Sequence, residues 1–353
     1  MSFKPPVSLC MIVKNEAVFL DGALKSVNSF LGLDDLVVVD TGSTDNTREI
    51  AVTNGAKVFD FTWCDDFSAA RNFASGKAEN DWIFVLDADE EVTGADVCEL
   101  DKFTADPGVA GKIVRIEKSN NEWSRISRLY NRTAYHYEGR IHEQVMPLDN
   151  KRDIREDVPI FTVHHGYLPE VMKAKGTLER NEKLLLEELV SKPDDTYLLY
   201  QLGKVHFTGG TDLPQACRYF KKVLSYNPDV RLSHVYETVE CYGYALINSG
   251  QYEKALKLLE RYVKHYKAVP QFRFLSAHIY QNNGMFIEAV ECYESCIGVD
   301  IEDYQGITSY LSYYNIGVIL ECVGMKEDAI QMYFNCGDYE PAKARLAEML
   351  GKH

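Results

Sequence analysis

The stretch Trp82-Ile83-Phe84-Val85-Leu86-Asp87-Ala88-Asp89-Glu90 constrains the fold more than any other in the chain. Its five consecutive apolar residues predict a strand buried on both faces, the habit of a central strand in an α/β sheet. The run stops at Asp87-x-Asp89, and carboxylates at the C-terminal end of such a strand sit where open α/β sheets place their ligands. Two acids one residue apart can present oxygens to a hard divalent cation and to a bound nucleotide. Asp is also common wherever strands end, so the residues upstream must decide between a site and a turn.

Upstream, the same construction recurs. Val7–Val13 is a buried strand ending in the polar tip Lys14-Asn15-Glu16, followed by helical spacing from Ala17 to Ser29. Leu36–Val39 is a second strand, ending at Asp40-Thr41-Gly42-Ser43-Thr44-Asp45, where Thr44 or Asp45 can cap a helix. Lys57–Phe61 is a third, and Phe67–Lys77 a helix bearing Arg71 and Asn72. This alternation predicts a doubly wound, mainly parallel sheet. Neither Gly-x-Gly-x-x-Gly nor Gly-x4-Gly-Lys-Ser/Thr occurs, which argues against a dehydrogenase-type dinucleotide fold and a P-loop. Each strand end instead carries an acid or amide, a set suited to hydroxyls, base edges and a metal. Arg71 either adds a cationic fork to that crevice or is a solvated arginine on a helix surface.

Four motifs stand in order: Ser8-x-x-Met11-Ile12-Val13-Lys14-Asn15-Glu16, Val38-Val39-Asp40-Thr41-Gly42-Ser43-Thr44-Asp45, Asp66-Phe67-Ser68-x-Ala70-Arg71-Asn72 and Leu86-Asp87-Ala88-Asp89. Together they resemble the family 2 inverting glycosyltransferases of the GT-A fold. The resemblance implies a Rossmann-like nucleotide-sugar domain in which Asn15, Glu16, Asp40 and Arg71 line the nucleotide pocket. It places Asp87 near the ribose and metal, and Asp89 on the metal itself. Between Gly111 and Tyr167, short strands at Ile113–Ile116, Ser127–Tyr130 and Ile160–Val163 suggest a mixed extension of the sheet. Polar clusters at 137–144 and 164–167 interrupt them, and four of the nine histidines fall between positions 136 and 165. Similar enzymes with a helical-repeat tail carry a Gly-(Arg/Lys)-(Ile/Val)-His-Glu motif and a His-x-Gly-Tyr motif. By that likeness Glu143 is the candidate general base, with His142 replacing or orienting it. His164 is the candidate additional metal ligand, chosen over His165 by its distance to Gly166-Tyr167.

From about Gly176 the strand signal gives way to helices with an internal repeat, setting expected domains at 1–175 and 176–353. Ala216, Ala255, Ala289 and Ala329 align, each followed four residues later by Phe220, Leu259, Tyr293 or Tyr333. Small residues precede them, at Gly203, Gly243, Ala277 and Gly317. Ala255 and Ala289 are 34 residues apart, the period of tetratricopeptide repeats; the flanking gaps of 39 and 40 require longer links. A TPR-like solenoid follows, with small residues where paired helices approach and aromatics between them. Leu178–Val190 is expected to join the halves, and Glu340–Leu350 to cap the repeats.

A net charge of −15 argues against a general nucleic-acid binder. Nine cysteines without regular spacing suggest reduced, buried thiols, and Cys292-x-x-x-Cys296 suggests packing. No run is long enough to span a membrane and no signal peptide is evident, so a cytoplasmic protein is expected. The expected activity is transfer of a sugar, with inversion, from a nucleotide-diphosphate sugar, UDP-linked, with Mn²⁺ or Mg²⁺ as cofactor. The resemblance extends to bacterial peptide and protein glycosyltransferases, including the glycocin S-glycosyltransferases. It implies a peptide or protein acceptor, with the repeats as a docking or homodimerisation platform. The alternatives are transfer to a cell-surface glycan, a nucleotidyltransferase, or a scaffold whose transferase domain is degenerate.

Overall fold

The computed structural model describes residues 6–118, 123–148, 152–165, 177–208, 210, 212–300 and 306–351. The chain divides into two compact units, Met1–Leu184 and Leu185–His353. Among the described residues no helix is long and apolar enough to cross a membrane.

In the first unit, β1 (Val7–Val13), α1 (Leu20–Phe30), β2 (Asp35–Asp40), α2 (Thr47–Thr53), β3 (Lys57–Asp60), α3 (Phe67–Lys77) and β4 (Trp82–Val85) alternate as the periodicity predicts. There follow β5 (Glu90–Ala95), α4 (Val97–Phe103), β6 (Ala110–Glu117), β7 (Trp123–Asn131), β8 (Tyr135–Glu138), β9 (Gln144–Pro147) and β10 (Arg155–His164). Eight strands form one sheet in the order β3-β2-β1-β4-β7-β6-β10-β5, while β8 and β9 pair separately. The first four are parallel; β7 runs antiparallel to both β4 and β6, and β10 runs parallel to β6. The expected mixed extension is present.

Strand β4 is buried on both faces. Trp82, Phe84 and Leu86 pack with Leu9, Met11, Leu24 and Val27 on one side. Ile83 and Val85 pack with Cys10, Val39, Ala74 and Tyr130 on the other. Glu90 does not extend the acidic tip: it begins β5, which pairs antiparallel with β10 at the sheet's far edge. The sequence Glu-Glu-Val-Thr-Gly-Ala has no apolar alternation to announce that strand.

The second unit is helical. Helix α5 (Thr177–Ser191) runs across the division between the units. Four helix pairs follow: α6 (Thr196–Thr208) with α7 (Leu213–Ser225), α8 (Ser233–Asn248) with α9 (Tyr252–Tyr266), α10 (Pro270–Asn282) with α11 (Phe286–Glu294), and α12 (Tyr310–Cys322) with α13 (Lys326–Phe334). Helix α14 (Glu340–Met349) comes last. The four aligned alanines are fully buried. A Cβ on Gly203 would stand 2.4 Å from the Phe220 ring and one on Gly317 2.7 Å from Tyr333, both within a pair, while one on Gly243 would stand 2.9 Å from Leu275 of the next pair. The longer links lie between pairs, at 226–232 and 295–309. The expectation of buried thiols needs correction: Cys64, Cys98 and Cys322 are exposed. Cys64 lies outside any helix or strand, and Cys98 and Cys322 lie near the ends of their helices. Cys296 donates to the Pro270 and Cys292 carbonyls, in keeping with packing.

Candidate active site

Parallel strands β1, β2 and β4 all point their carboxyl ends to one rim, and their tips are tied together. Asn15 adopts φ 56°, a left-handed conformation that asparagine tolerates. Its Oδ1 accepts from the Thr44 amide at 2.8 Å, and its own amide donates to Ser43 Oγ at 2.9 Å. The Glu16 amide donates to Thr47 Oγ1 at 2.8 Å. Asp40 Oδ1 accepts from the Ser43 amide at 2.9 Å, and its Oδ2 from Arg48 Nη1 at 2.9 Å. Burial opposes ionisation of Asp40, but Ser43 and Arg48 hold its carboxyl below the usual range. Asp45 accepts from the Thr47 amide at the start of α2. Asn15 and Asp40 therefore shape the rim through hydrogen bonds among the tips.

Arg71 is no solvated helix arginine. It is 6% exposed, and on α3 it bridges two acids: Nη2 donates to Asp87 Oδ1 at 2.8 Å and Nε to Glu143 Oε1 at 2.5 Å. The Tyr137 ring lies 5.3 Å from its guanidinium carbon. Helix α3 starts at Asp66, whose carboxylate caps the Ala69 amide. Asn72 grips β8 by both its amide groups, bonding to the Tyr137 amide and carbonyl at 2.9 Å each. The loop between β8 and β9 is held in turn, since the Phe67 amide donates to the Arg140 carbonyl at 2.8 Å. Gly139 and His142 take positive φ, 96° and 51°, and turn the loop that brings Glu143 to Arg71. His142 lies at that turn, its carbonyl accepting from Gln144 Nε2 at 3.1 Å.

Beyond Asp87 the charges continue through residues that the sequence reading did not single out. Asp87 Oδ2 accepts from Arg128 Nη2 at 2.5 Å. Arg128 stands 3.6 Å from Glu90, and Glu90 3.5 Å from Arg115. Arg115 pairs with Glu117 at 2.8 Å, Glu117 with His164 Nδ1 at 2.7 Å, and His164 Nε2 lies 3.5 Å from Asp89 Oδ1. An alternating series thus runs Glu143, Arg71, Asp87, Arg128, Glu90, Arg115, Glu117, His164, Asp89. Burial disfavours the charge on Asp87, yet Arg128 and Arg71 hold its carboxyl far below the ordinary range. Burial wins at Glu90, which is fully buried and whose carboxyl is raised. Burial also works against the charge on His164, but Asp89 and Glu117 outweigh it and raise the imidazole to about 9.

Asp89 and His164 fit a divalent cation as a two-donor set. A carboxylate oxygen and an imidazole nitrogen face each other across 3.5 Å, and a second carboxylate orients the ring from behind. Among the described residues no group of three or more His, Cys, Asp and Glu side chains forms a ready-made cluster, so further donors would come from ligand oxygens and water. His165 turns elsewhere: its Nε2 lies 3.9 Å from Glu91, and its amide donates to the Asp89 carbonyl at 2.8 Å. Gly166 and Tyr167 lie outside the described residues.

Residues 8–164 match the model of Glycosyl transferase family 2. Residues 197–229, 242–268 and 270–300 match Tetratricopeptide repeat models. A TPR repeat-containing protein of Synechococcus elongatus is 37% identical over 246 residues, covering 65% of this chain and 60% of the relative. The SPbeta prophage-derived glycosyltransferase SunS of Bacillus subtilis is 27% identical over 233 residues, covering 63% and 54%. An uncharacterized glycosyltransferase of Rickettsia felis is 40% identical over 87 residues, covering 25% and 30%. The chain thus spans less than two thirds of the length of these relatives. Among solved structures, MamA 41-end from Desulfovibrio magneticus RS-1 is 20% identical with a TM-score of 0.41, covering 49% of this chain and 92% of that one. Residues 8–164 therefore resemble a family 2 glycosyltransferase domain, and stretches between 197 and 300 resemble tetratricopeptide repeats.

Proposed function

We propose that this protein transfers a sugar from a nucleotide-diphosphate sugar, UDP-linked, to a peptide or protein, with inversion at the anomeric carbon. The observation that carries this reading is the meeting of Glu143, Arg71 and Asp87 at the end of β4, inside the segment that matches the transferase family. Asp89 and His164 would hold a divalent cation, Mn²⁺ or Mg²⁺, which when bound offsets the charge of the leaving diphosphate. Asn15, Glu16 and Asp40 would line the nucleotide side of the crevice, with Asp87 toward the ribose. Glu143 takes the acceptor proton as the acceptor atom bonds to the anomeric carbon and the carbon–diphosphate bond breaks. His142, at the turn before it, orients that carboxylate. Arg71 gives Glu143 and Asp87 one shared cation, fixing the acceptor and donor sides relative to each other. The relative named glycosyltransferase SunS supports the activity class.

The repeats would recruit the acceptor or pair two copies, a use their stacked helices permit. Thermal-shift screening of nucleotide sugars with and without Mn²⁺ tests the reading, followed by mass spectrometry of donor hydrolysis. A UDP-sugar that stabilises the protein only with metal, and is slowly hydrolysed, is the expected result. No stabilisation by any nucleotide sugar would favour the scaffold alternative.

A further inference from the structure

His164 ends β10 with a carboxylate in register on each side: Glu117 on β6 and Glu90 on β5. Paired residues on adjacent strands project to the same face, so the three side chains form a row. Nδ1 of His164 lies 2.7 Å from Glu117 Oε2, and Nε2 is turned toward Asp89 Oδ1. Glu117 is itself charge-paired, because Arg115, two residues earlier on the same face, lies 2.8 Å from its other oxygen. Glu117 is only 8% exposed, so water does little to loosen the arrangement. Glu90 meets Arg115 and Arg128 only at 3.5 and 3.6 Å and balances their charge without gripping the ring. Once a cation displaces the proton from one ring nitrogen, a carboxylate within hydrogen-bond distance of the other keeps the remaining proton there.

We infer that Glu117, paired with Arg115, is a positioning residue that keeps the His164 proton on Nδ1 and presents Nε2 to the same cation as Asp89. The inference rests on the proposed metal role of Asp89 and His164. Glu117 touches neither cation nor substrate, and its effect passes through the imidazole.

Calorimetric titration of Mn²⁺ into the UDP-saturated full chain tests this. Glu117→Gln is expected to weaken Mn²⁺ binding about 10- to 100-fold, with the unfolding midpoint of the metal-free protein held within a few degrees. Glu117→Asp, which keeps the charge, recovers part of the loss and serves if the glutamine variant fails to fold. On a His164→Ala background Glu117→Gln adds almost nothing, since the ring it orients is gone. Wild-type affinity in Glu117→Gln, with His164→Ala and Asp89→Ala both impaired, overturns the positioning role and leaves the metal pair standing. Additive losses in Glu117→Gln and His164→Ala overturn it too. Unchanged affinity in Asp89→Ala and His164→Ala removes the metal pair and the inference together.

Discussion

In the N-terminal unit Arg71 meets Glu143 across 72 positions of sequence, whereas in the repeats Tyr333 meets Glu321 across 12. The first contact exists only because a sheet brings the ends of distant strands to one rim. The second is internal to a single helix pair and needs nothing beyond it. Buried polar groups follow the same division. In the N-terminal unit they form an alternating series of acids and bases drawn from α3, four strands and the turns around them. In the repeats they stay within a helix or reach the neighbouring repeat: Ser276 donates to the Phe272 carbonyl and Thr238 to that of His234, both one helical turn back, while Tyr200 reaches Glu237 on the next helix pair. A solenoid can be built from neighbours alone, while a site that must gather several charges needs long-range closure. The chemistry accordingly concentrates in the unit that has such closure.

The sharpest way to break this contrast is to remove one cation from the series. Arg128→Met leaves Asp87 and the fully buried Glu90 short of a partner, and is expected to cost about 3–5 kcal/mol in urea unfolding. Arg345→Met, which removes a half-exposed arginine from Glu321 in the repeats, is expected to cost clearly less. Equal losses would mean that the series is no more demanding than a surface pair. Next comes chemistry without stability. Glu143→Gln should lower transfer to a hydroxyl acceptor by roughly 10²- to 10⁴-fold while the unfolding midpoint stays near wild type. On a thiol, with an ordinary pKa of about 8.5, the loss should be milder and recover as pH rises. Equal losses on matched serine and cysteine peptides, without recovery at high pH, would make Glu143 a binding group.

The repeats should show a different pH signature. His278 packs against Phe274, Tyr293 and Tyr244, and burial lowers its pKa to about 4. The unfolded chain then takes up a proton near pH 6.5, before the folded one does. His278 therefore costs no stability above that pH, and stability falls as pH drops from about 6.5 to about 4, by up to about 3 kcal/mol. His278→Phe should flatten that limb in urea midpoints measured across the range; an unchanged slope would refute the assignment. Smallest is the local packing effect. Gly203→Ala forces a methyl against Phe220 and should cost about 1–3 kcal/mol. Phe220→Leu in the same chain should recover part of it, and donor hydrolysis should be untouched.

These contrasts also explain what could be read in the sequence. The repeats were legible because Ala216, Ala255, Ala289 and Ala329 recur with their small and aromatic companions, a signal that needs no tertiary context. Strands β1, β2 and β4 were legible as apolar runs, and their tips as interruptions of those runs. Arg115, Glu117 and Arg128 were not, because each sits inside a strand where a single charge looks like an outward-facing residue. Only the register of β6, β7 and β10 turns them inward. An arginine within each of Ile113-Val114-Arg115-Ile116 and Ser127-Arg128-Leu129-Tyr130 was the available signal. Glu90 was hidden for another reason: beside Asp87 and Asp89 it looks like a further tip acid, and only the return of β5 to the sheet buries it. Hairpin β8–β9 was lost in a polar cluster, although Gly139-Arg140-Ile141-His142-Glu143 within it had marked the turn that delivers Glu143.

The central proposal is that the site of Asp89, His164, Asp87, Arg71 and Glu143 would handle a nucleotide sugar with a divalent cation. It is tested most directly by the rate of UDP release from a UDP-sugar that binds, measured with Mn²⁺, with excess chelator, and in Asp89→Ala. Release that depends on Mn²⁺, stops in chelator and falls by about 10³-fold in an Asp89→Ala protein of unchanged unfolding midpoint is the predicted result. Release undiminished both in chelator and in Asp89→Ala would contradict it.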